Sequence, residues 1–295
     1  MIVPVILLCA TPNHLEATPA SFLYNSHGAR STSMGKAFTA ISNAPDSVYT
    51  NSAGLARLNQ LQVQGMSFKA FEANYYSIES SIPMGEFVLG FGIIQSAVDG
   101  IQETAIVDNL VVDQGNSFSY KGTAAFVAAG YNISDSLSLG ITGKYIIEKL
   151  YNNSSKGYGV DVGILYDLPL KKLPLTLGAS IKNLIEPKLV WDTGTYTAIM
   201  ERHYDLGAAL KLMDNKLIIS SDYKLKKSNS TLHFGLEYAL LETIPFRFGY
   251  DDQQLSFGVG LNLDSVYIDY SLTLPKSQYK EFLENVSKIN VGIKL

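Results

Sequence analysis

The chain has 295 residues, a formal net charge of -4 and 17% charged residues, fewer than the roughly 25% of an ordinary soluble protein. That balance offers no electrostatic footprint for nucleic acid, which is excluded as a partner. Aromatic residues make up 11%, with 18 Tyr, 13 Phe and a single Trp. The polar content rests on Ser, Asn, Thr and Gly rather than Lys and Glu, which suits a surface that mostly does not face water.

Ile2 to Ala10 is an apolar run too short for a transmembrane helix. It reads as the core of a secretory signal peptide over residues 1–17, with small-residue cleavage candidates at Ala17 and Ala20, although no basic residue precedes it. Cys9 is the one cysteine, and the bulky Leu8 before it disfavours a lipoprotein cysteine. Once the signal is removed no disulfide or cysteine-based metal site is expected. No later segment approaches 18 consecutive apolar residues, so no spanning helix is expected either.

Residues 18–61 form a second region. Gly28-Ala29-Arg30 leads into Ser33 to Ile41, a stretch of small and apolar residues with helical character. Pro45 is expected to stop that helix and Asp46 to cap the segment after it. Val48 to Leu55 completes the region, which is too compact for a linker and too small for a core of its own. Its natural place is inside a wide barrel, with Arg30, Lys36 and Asp46 paired to charges on the wall.

From Gln62 to Leu295 apolar side chains alternate with polar or small ones, as in Leu255, Phe257, Val259, Leu261 and Leu263 against Ser256, Gly258, Gly260 and Asn262. Side chains on a strand point alternately to its two faces. Strands are predicted at 62–70, 73–82, 85–95, 117–132, 136–150, 156–168, 174–184, 201–213, 216–225, 230–241, 244–251, 254–263, 265–274 and 286–295. Fourteen is an even number, and lengths near 9–11 residues suit a membrane β-barrel with both termini on the periplasmic side. The outward sets include Leu137, Leu139, Ile141 and Tyr145; Tyr158, Val160, Val162, Ile164 and Tyr166; Leu232, Phe234, Leu236 and Tyr238; and Val266, Ile268, Tyr270 and Leu272. The other face carries Lys144, Asp161, Lys182, Asp205, Lys211, Asp222, Glu237, Arg247 and Asp269. Long connections, 96–116, 185–200 and 275–285, all follow odd strands, while even strands end in tight turns such as Pro83-Met84 and Ser134-Asp135. That asymmetry fits an outer-membrane barrel better than the competing secreted sandwich, whose strands also alternate.

No motif advertises catalysis. His14, His27, His203 and His233 lack metal-site spacing, and no Ser/His pair is signalled, so neither enzyme nor cofactor is expected. Gly90-Phe91-Gly92 has two open readings: strand glycines that make room for the inner segment, or a kink that opens a lateral gap for ligand access. Trp191, Tyr196 and Met200 read either as a greasy collecting site or as interfacial aromatics. Lys276 to Asn285 has helical spacing, with Tyr279, Phe282 and Leu283 on one side.

The run from Gly28-Ala29-Arg30 through Met34-Gly35-Lys36-Ala37-Phe38-Thr39-Ala40, then Val48-Tyr49-Thr50-Asn51-Ser52-Ala53-Gly54-Leu55, resembles the N-terminal signature of the PorV/PorQ-type family. That family belongs to the outer-membrane group like the long-chain fatty-acid transporter. The usual signature ends Asn-Pro-Ala-Gly-Leu, and here Ser52 replaces the proline; Asn43-Ala44 stands where an acidic pair is common. Val160 to Tyr166, Leu177 to Leu184 and His233 to Tyr238 look similar too. The resemblance implies a fourteen-stranded barrel plugged by an N-terminal hatch, with transporters and a secretion-system component among its relatives. The hatch and gate residues are then Gly28, Arg30, Met34, Gly35, Asp46, Asn51, Ser52, Ala53 and Gly54. The leading expectation is hatch-gated passage of a hydrophobic small molecule, such as a fatty acid, with outer-membrane lipid around the barrel. The alternative is a docking scaffold for secretion-system proteins. The last strand resembles the assembly signal read by the barrel-assembly machinery, with Leu295 where an aromatic is usual.

Overall fold

The computed structural model describes residues 19–25, 28–108, 110–170, 173–194, 197–227, 229–281 and 283–295. The expected signal peptide, with Cys9 and His14, lies outside them, as do His27, Tyr196 and Phe282. Sixteen antiparallel strands follow one another: β1 Gln62–Ala70, β2 Ala73–Met84, β3 Phe87–Val107, β4 Leu110–Ser134, β5 Leu137–Leu150, β6 Asn153–Asp167, β7 Leu175–Ile185, β8 Lys188–Trp191, β9 Thr197–Ile199, β10 His203–Leu212, β11 Leu217–Lys226, β12 Asn229–Leu241, β13 Ile244–Tyr250, β14 Gln254–Asn262, β15 Val266–Pro275 and β16 Val286–Lys294. β8 and β9 form a short hairpin attached to the start of β6, through Ser155↔Trp191 and Lys156↔Val190. The other fourteen pair with their chain neighbours, β7 passing directly to β10, and β1 pairs with β16 from Gln62↔Lys294 to Phe68↔Lys288. The sheet therefore closes into a fourteen-stranded barrel without an edge.

Period two decides which face meets what. Leu139, Ile141, Tyr145, Tyr158, Ile164, Leu236, Phe257 and Ile268 point outward and stay exposed, while Lys144, Asp161, Lys182, Asp205, Asp222, Glu237, Arg247 and Asp269 are buried inward. An apolar belt outside and a polar interior is the arrangement a barrel in lipid requires, since every backbone group there must be paired internally. No helix among the described residues is long and apolar enough to cross a membrane.

Several expectations need correction. The segment 96–116 is strand rather than loop: β3 and β4 run on past the barrel as a two-stranded ribbon, paired down to Val107↔Leu110. Likewise 185–200 carries the β8–β9 hairpin, and the described residues of 275–285 hold one short turn, Ser277–Tyr279, with Leu283 N–H donating to Tyr279 O at 2.8 Å. Pro83 and Met84 belong to β2, so the turn falls at 85–86. In the inner region the helix is Ala29–Ser33 (α1), ahead of the expected 33–41. Gly35 at φ +62° ends it, because a residue with a Cβ is disfavoured there. Pro45 does not stop a helix but starts one, a 3-10 turn over Pro45–Val48 with Ala44 as N-cap and Asp46 inside it.

Candidate functional site

Residues 28–58 sit inside the barrel, held by polar side chains that reach inward from the wall. Asp222 on β11 accepts from Phe38 N–H and Thr39 N–H, both at 2.9 Å, and from the Thr39 hydroxyl at 2.6 Å. Those two amides are donors that a continued helix would have used, which explains why the chain unwinds here. Asn290 accepts from Ala29 N–H at 2.8 Å; Thr142 and Lys182 donate to Val48 O and Tyr49 O at 2.9 and 2.8 Å. His233 Nδ1 lies 2.7 Å from Gly35 O and Nε2 2.9 Å from the Thr231 hydroxyl. Arg30 binds Glu237 through two bonds of 2.8 Å, and Arg247 bridges Glu237 and Asp269 at 2.6 Å each. Bidentate guanidinium–carboxylate pairs fix orientation as well as charge. Lys36 lies 3.6 Å from Asp251.

The wall makes room through inward glycines that are neighbours in register. Gly130, Gly140 and Gly163 pair across β4, β5 and β6, and Gly178 with Gly207 across β7 and β10. A Cβ on Gly163 would coincide with Asn51 Oδ1, and one on Gly140 would strike the backbone at Ser52 and Ala53. Asn51 is fully buried; its amide donates to Thr39 O at 2.9 Å and Ile164 O at 3.2 Å, and its Oδ1 caps Ala53 N–H at 3.2 Å. Ser52 and Ala53 are buried with it, and a Cβ at Gly54 would overlap Ser42 O.

Gly28 presses on the Asp46 carboxylate, Gly35 lies against Gly249, and Met34 packs with Phe38, Ile41, Ala209 and Ile218. Gly90 and Gly92 face the side chains of Val48 and Leu55, and the β2–β3 ladder runs unbroken past them from Met84↔Phe87 to Asn74↔Ala97. Met200 is buried with Leu189 in the lumen, whereas Trp191 stands half-buried at the end of β8. The structure thus gathers Gly28, Arg30, Met34, Gly35, Asp46 and Asn51 to Gly54 in one plug, and does not bring Trp191 to it. Sequence reasoning gives Asp222, Glu237 and Lys182 only as lumen charges and does not single out Thr142 or Asn290. Asp222 stands opposite Gly207 in register, a signal that could have found it, whereas Thr142 and Asn290 face Ala128 and Met66 and carry no such signal.

The two sides of the lumen differ. On β3 and β4 the inward side chains include Val88, Ile94, Val98, Ala124, Phe126 and Ala128, buried in one apolar cluster with Val48, Leu55 and Leu58 of the plug, with Ser96 a buried polar residue among them. The cluster continues toward the long-connection rim through Tyr75, Phe68 and Phe22. Across the lumen, near the short-turn rim, a cavity of about 350 Å³ is lined by Arg30, Asp46, Gln64, Glu237, Arg247 and Asp269 among others. Burial, and next the charge of Glu79, push the Asp46 carboxyl up to about 7, with Arg30 pulling the other way. Asp46 Oδ1 and Gln64 Nε2 are buried without a hydrogen-bond partner among the described residues. No cluster of metal-ligating side chains is present among them.

The fold is similar to that of the toluene transporter TbuX of Ralstonia pickettii, at a TM-score of 0.63 and 14% identity over 92% of this chain and 98% of that one. The toluene transporter TodX of Pseudomonas putida gives 0.62 at 13% identity, covering 91% and 97%. A FadL homologue of Pseudomonas aeruginosa gives 0.52 at 11%, covering 90% and 97%. At such identities the likeness is one of fold. No protein-family model matches the chain, and no curated protein does, so the likeness to the PorV/PorQ type rests on the N-terminal run Gly28 to Leu55 and the three strand segments like it.

Proposed function

We propose that this barrel passes hydrophobic small molecules, fatty acids or aromatic hydrocarbons among them, across an outer membrane, with residues 28–58 as a movable hatch. The observation that carries this reading is the apolar seam of β3 and β4, which starts at Val88 near one rim and continues through Phe68 on β1 and Tyr75 on β2 toward the other. A polar solute gains nothing from that wall, whereas an apolar one leaves water by following it. The hatch fills the space beside the seam, which argues against an open diffusion pore. Similar folds described as toluene transporters and a FadL homologue support the substrate class. In this reading the short-turn rim and both chain ends face the periplasm, the barrel-assembly machinery inserts the chain, and Gly90 and Gly92 belong to the path.

Two variants test it in liposomes. Ala124→Trp with Ala128→Trp narrows the seam and should slow uptake of a fluorescent fatty acid or of toluene without raising ion conductance. Deleting residues 28–55 should raise nonspecific conductance in a planar bilayer. Unchanged uptake in the first variant would sink the seam route; unchanged conductance in the second would sink the hatch.

A further inference from the structure

The outer halves of β3 and β4 form a ribbon that leaves the barrel wall, with Ile101 at its base still packed against the lumen cluster. Pairing of β3 with β2 ends at Asn74↔Ala97, and pairing of β4 with β5 begins at Tyr120↔Leu150. Beyond these points, apart from Ser119 O accepting from Tyr151 N–H at 3.3 Å, the ribbon has two free edges among the described residues. It stands about 30 Å above Val98, taking nine residues at roughly 3.4 Å each. Its base is tied down by the contact of the Phe118 and Tyr151 rings, 5.6 Å apart. Register shifts near the base, between Val98 and Ile101 and between Gln102 and Thr104, give way to an unbroken ladder from Thr104↔Asp113 to Val107↔Leu110.

The tip is apolar on both faces. Ile106 pairs with Val111 on one face, and Val107 with Leu110 on the other. These four are 65%, 73%, 50% and 68% exposed, more than most of the lipid-facing residues of the barrel. A bare two-stranded ribbon is at best marginally stable in water, and open strand edges are ordinarily blocked by Lys, Pro or bulges. No Lys, Pro or bulge protects this tip. Such an element is suited to accept a further strand, where backbone bonds supply affinity and alternate side chains supply specificity.

Charge selects the occupant. Between Val98 and Tyr120 the chain carries Asp99, Glu103, Asp108 and Asp113 and neither Lys nor Arg. A second copy would set four carboxylates against four, and a phosphate-bearing lipid surface would repel them as well. We infer that the β3–β4 ribbon is a docking edge for a protein partner that presents an extended strand of alternating apolar and basic residues. The inference does not depend on transport through the lumen, and its failure would leave that reading intact.

The test uses the full chain in nanodiscs and three labelled eight-residue peptides: alternating Val/Lys, the same with a central Pro, and alternating Val/Glu. Fluorescence anisotropy should show binding of the Val/Lys peptide alone. Affinity should fall by about tenfold or more when the four carboxylates become amides or when salt rises to screening levels. Replacing residues 101–118 by Asn-Gly should abolish binding while a heat-modifiable barrel band on gels reports that the fold persists. Equal binding of the Pro peptide would reduce the effect to charge alone and overturn strand addition, as would no binding or binding that survives removal of the ribbon. A photocrosslinker at Val111 in intact cells provides a second readout. The proposal requires an adduct with a protein whose purified form competes with the Val/Lys peptide. An adduct with lipid, an adduct with another copy of this chain, or no adduct overturns it.

Discussion

Asp46 is a carboxylate placed where a carboxylate is uncomfortable. It is buried in the plug, one oxygen lacks a partner among the described residues, and Gly28 is packed against it. Its carboxyl is raised from 3.8 to about 7, chiefly by burial. A group raised in the folded state favours that state fully below its unfolded value, and the benefit is lost as pH rises through the folded value. The seat of the hatch should therefore be tightest near pH 4 and loosen toward pH 7. The frequency of brief conductance openings should rise over that interval in the native chain and stay low in Asp46→Asn, whose amide does not ionise. A native profile flat between pH 4 and 8 would reject this account. Arg30 does not share the sensitivity, because its bidentate pair with Glu237 keeps it charged throughout.

At the scale of elements the two faces of one strand make opposite predictions. Val259 points outward in the middle of β14, while Gly258 points inward against the Ser33 side chain. Arg at Val259 should cost about 2–4 kcal/mol if the site lies near the lipid midplane, read by denaturant unfolding in vesicles. Arg at Gly258 should leave the barrel intact and expel the plug, read as new protease sensitivity within residues 28–58. Equal effects at the two sites would contradict the assignment of faces. That same alternation makes the fourteen barrel strands legible, because lipid outside and a wet lumen inside impose period two wherever the sheet crosses the membrane. The ribbon escapes because outside the barrel nothing distinguishes its faces. Ala105-Ile106-Val107 and Leu110-Val111-Val112 are continuous apolar runs, and the Gly, Asp and Asn between and beside them read as loop. The helix of the plug is misplaced by sequence for a different reason. Its boundary is set by Gly35 and by Asp222, a residue 187 positions after it in the chain. Local propensity cannot register a partner that distant.

The whole molecule depends on closure. The ladder passes from β1 through β7 and β10 to β16 and returns to β1, so the plug is enclosed on all sides and no side-chain pair has to hold the ring shut. The last strand carries two of these seams, to β1 over Gln62 to Phe68 and to β15 over Val266 to Thr273. It also supplies Asn290 to hold Ala29 and Lys288 to hold the carbonyl of Asn25 at 2.6 Å. Removing residues 286–295 would therefore expose two strand edges to lipid, where each unpaired backbone group costs several kcal/mol, and would free one end of the plug as well. The truncated chain should fail to give a compact, heat-modifiable band and should be digested throughout. Replacing the ribbon residues 101–118 removes more strand than this yet opens no edge within the barrel, so that variant should keep its band. A truncated chain as compact and protease-resistant as the ribbon variant would show that closure through β16 is not what holds the barrel together.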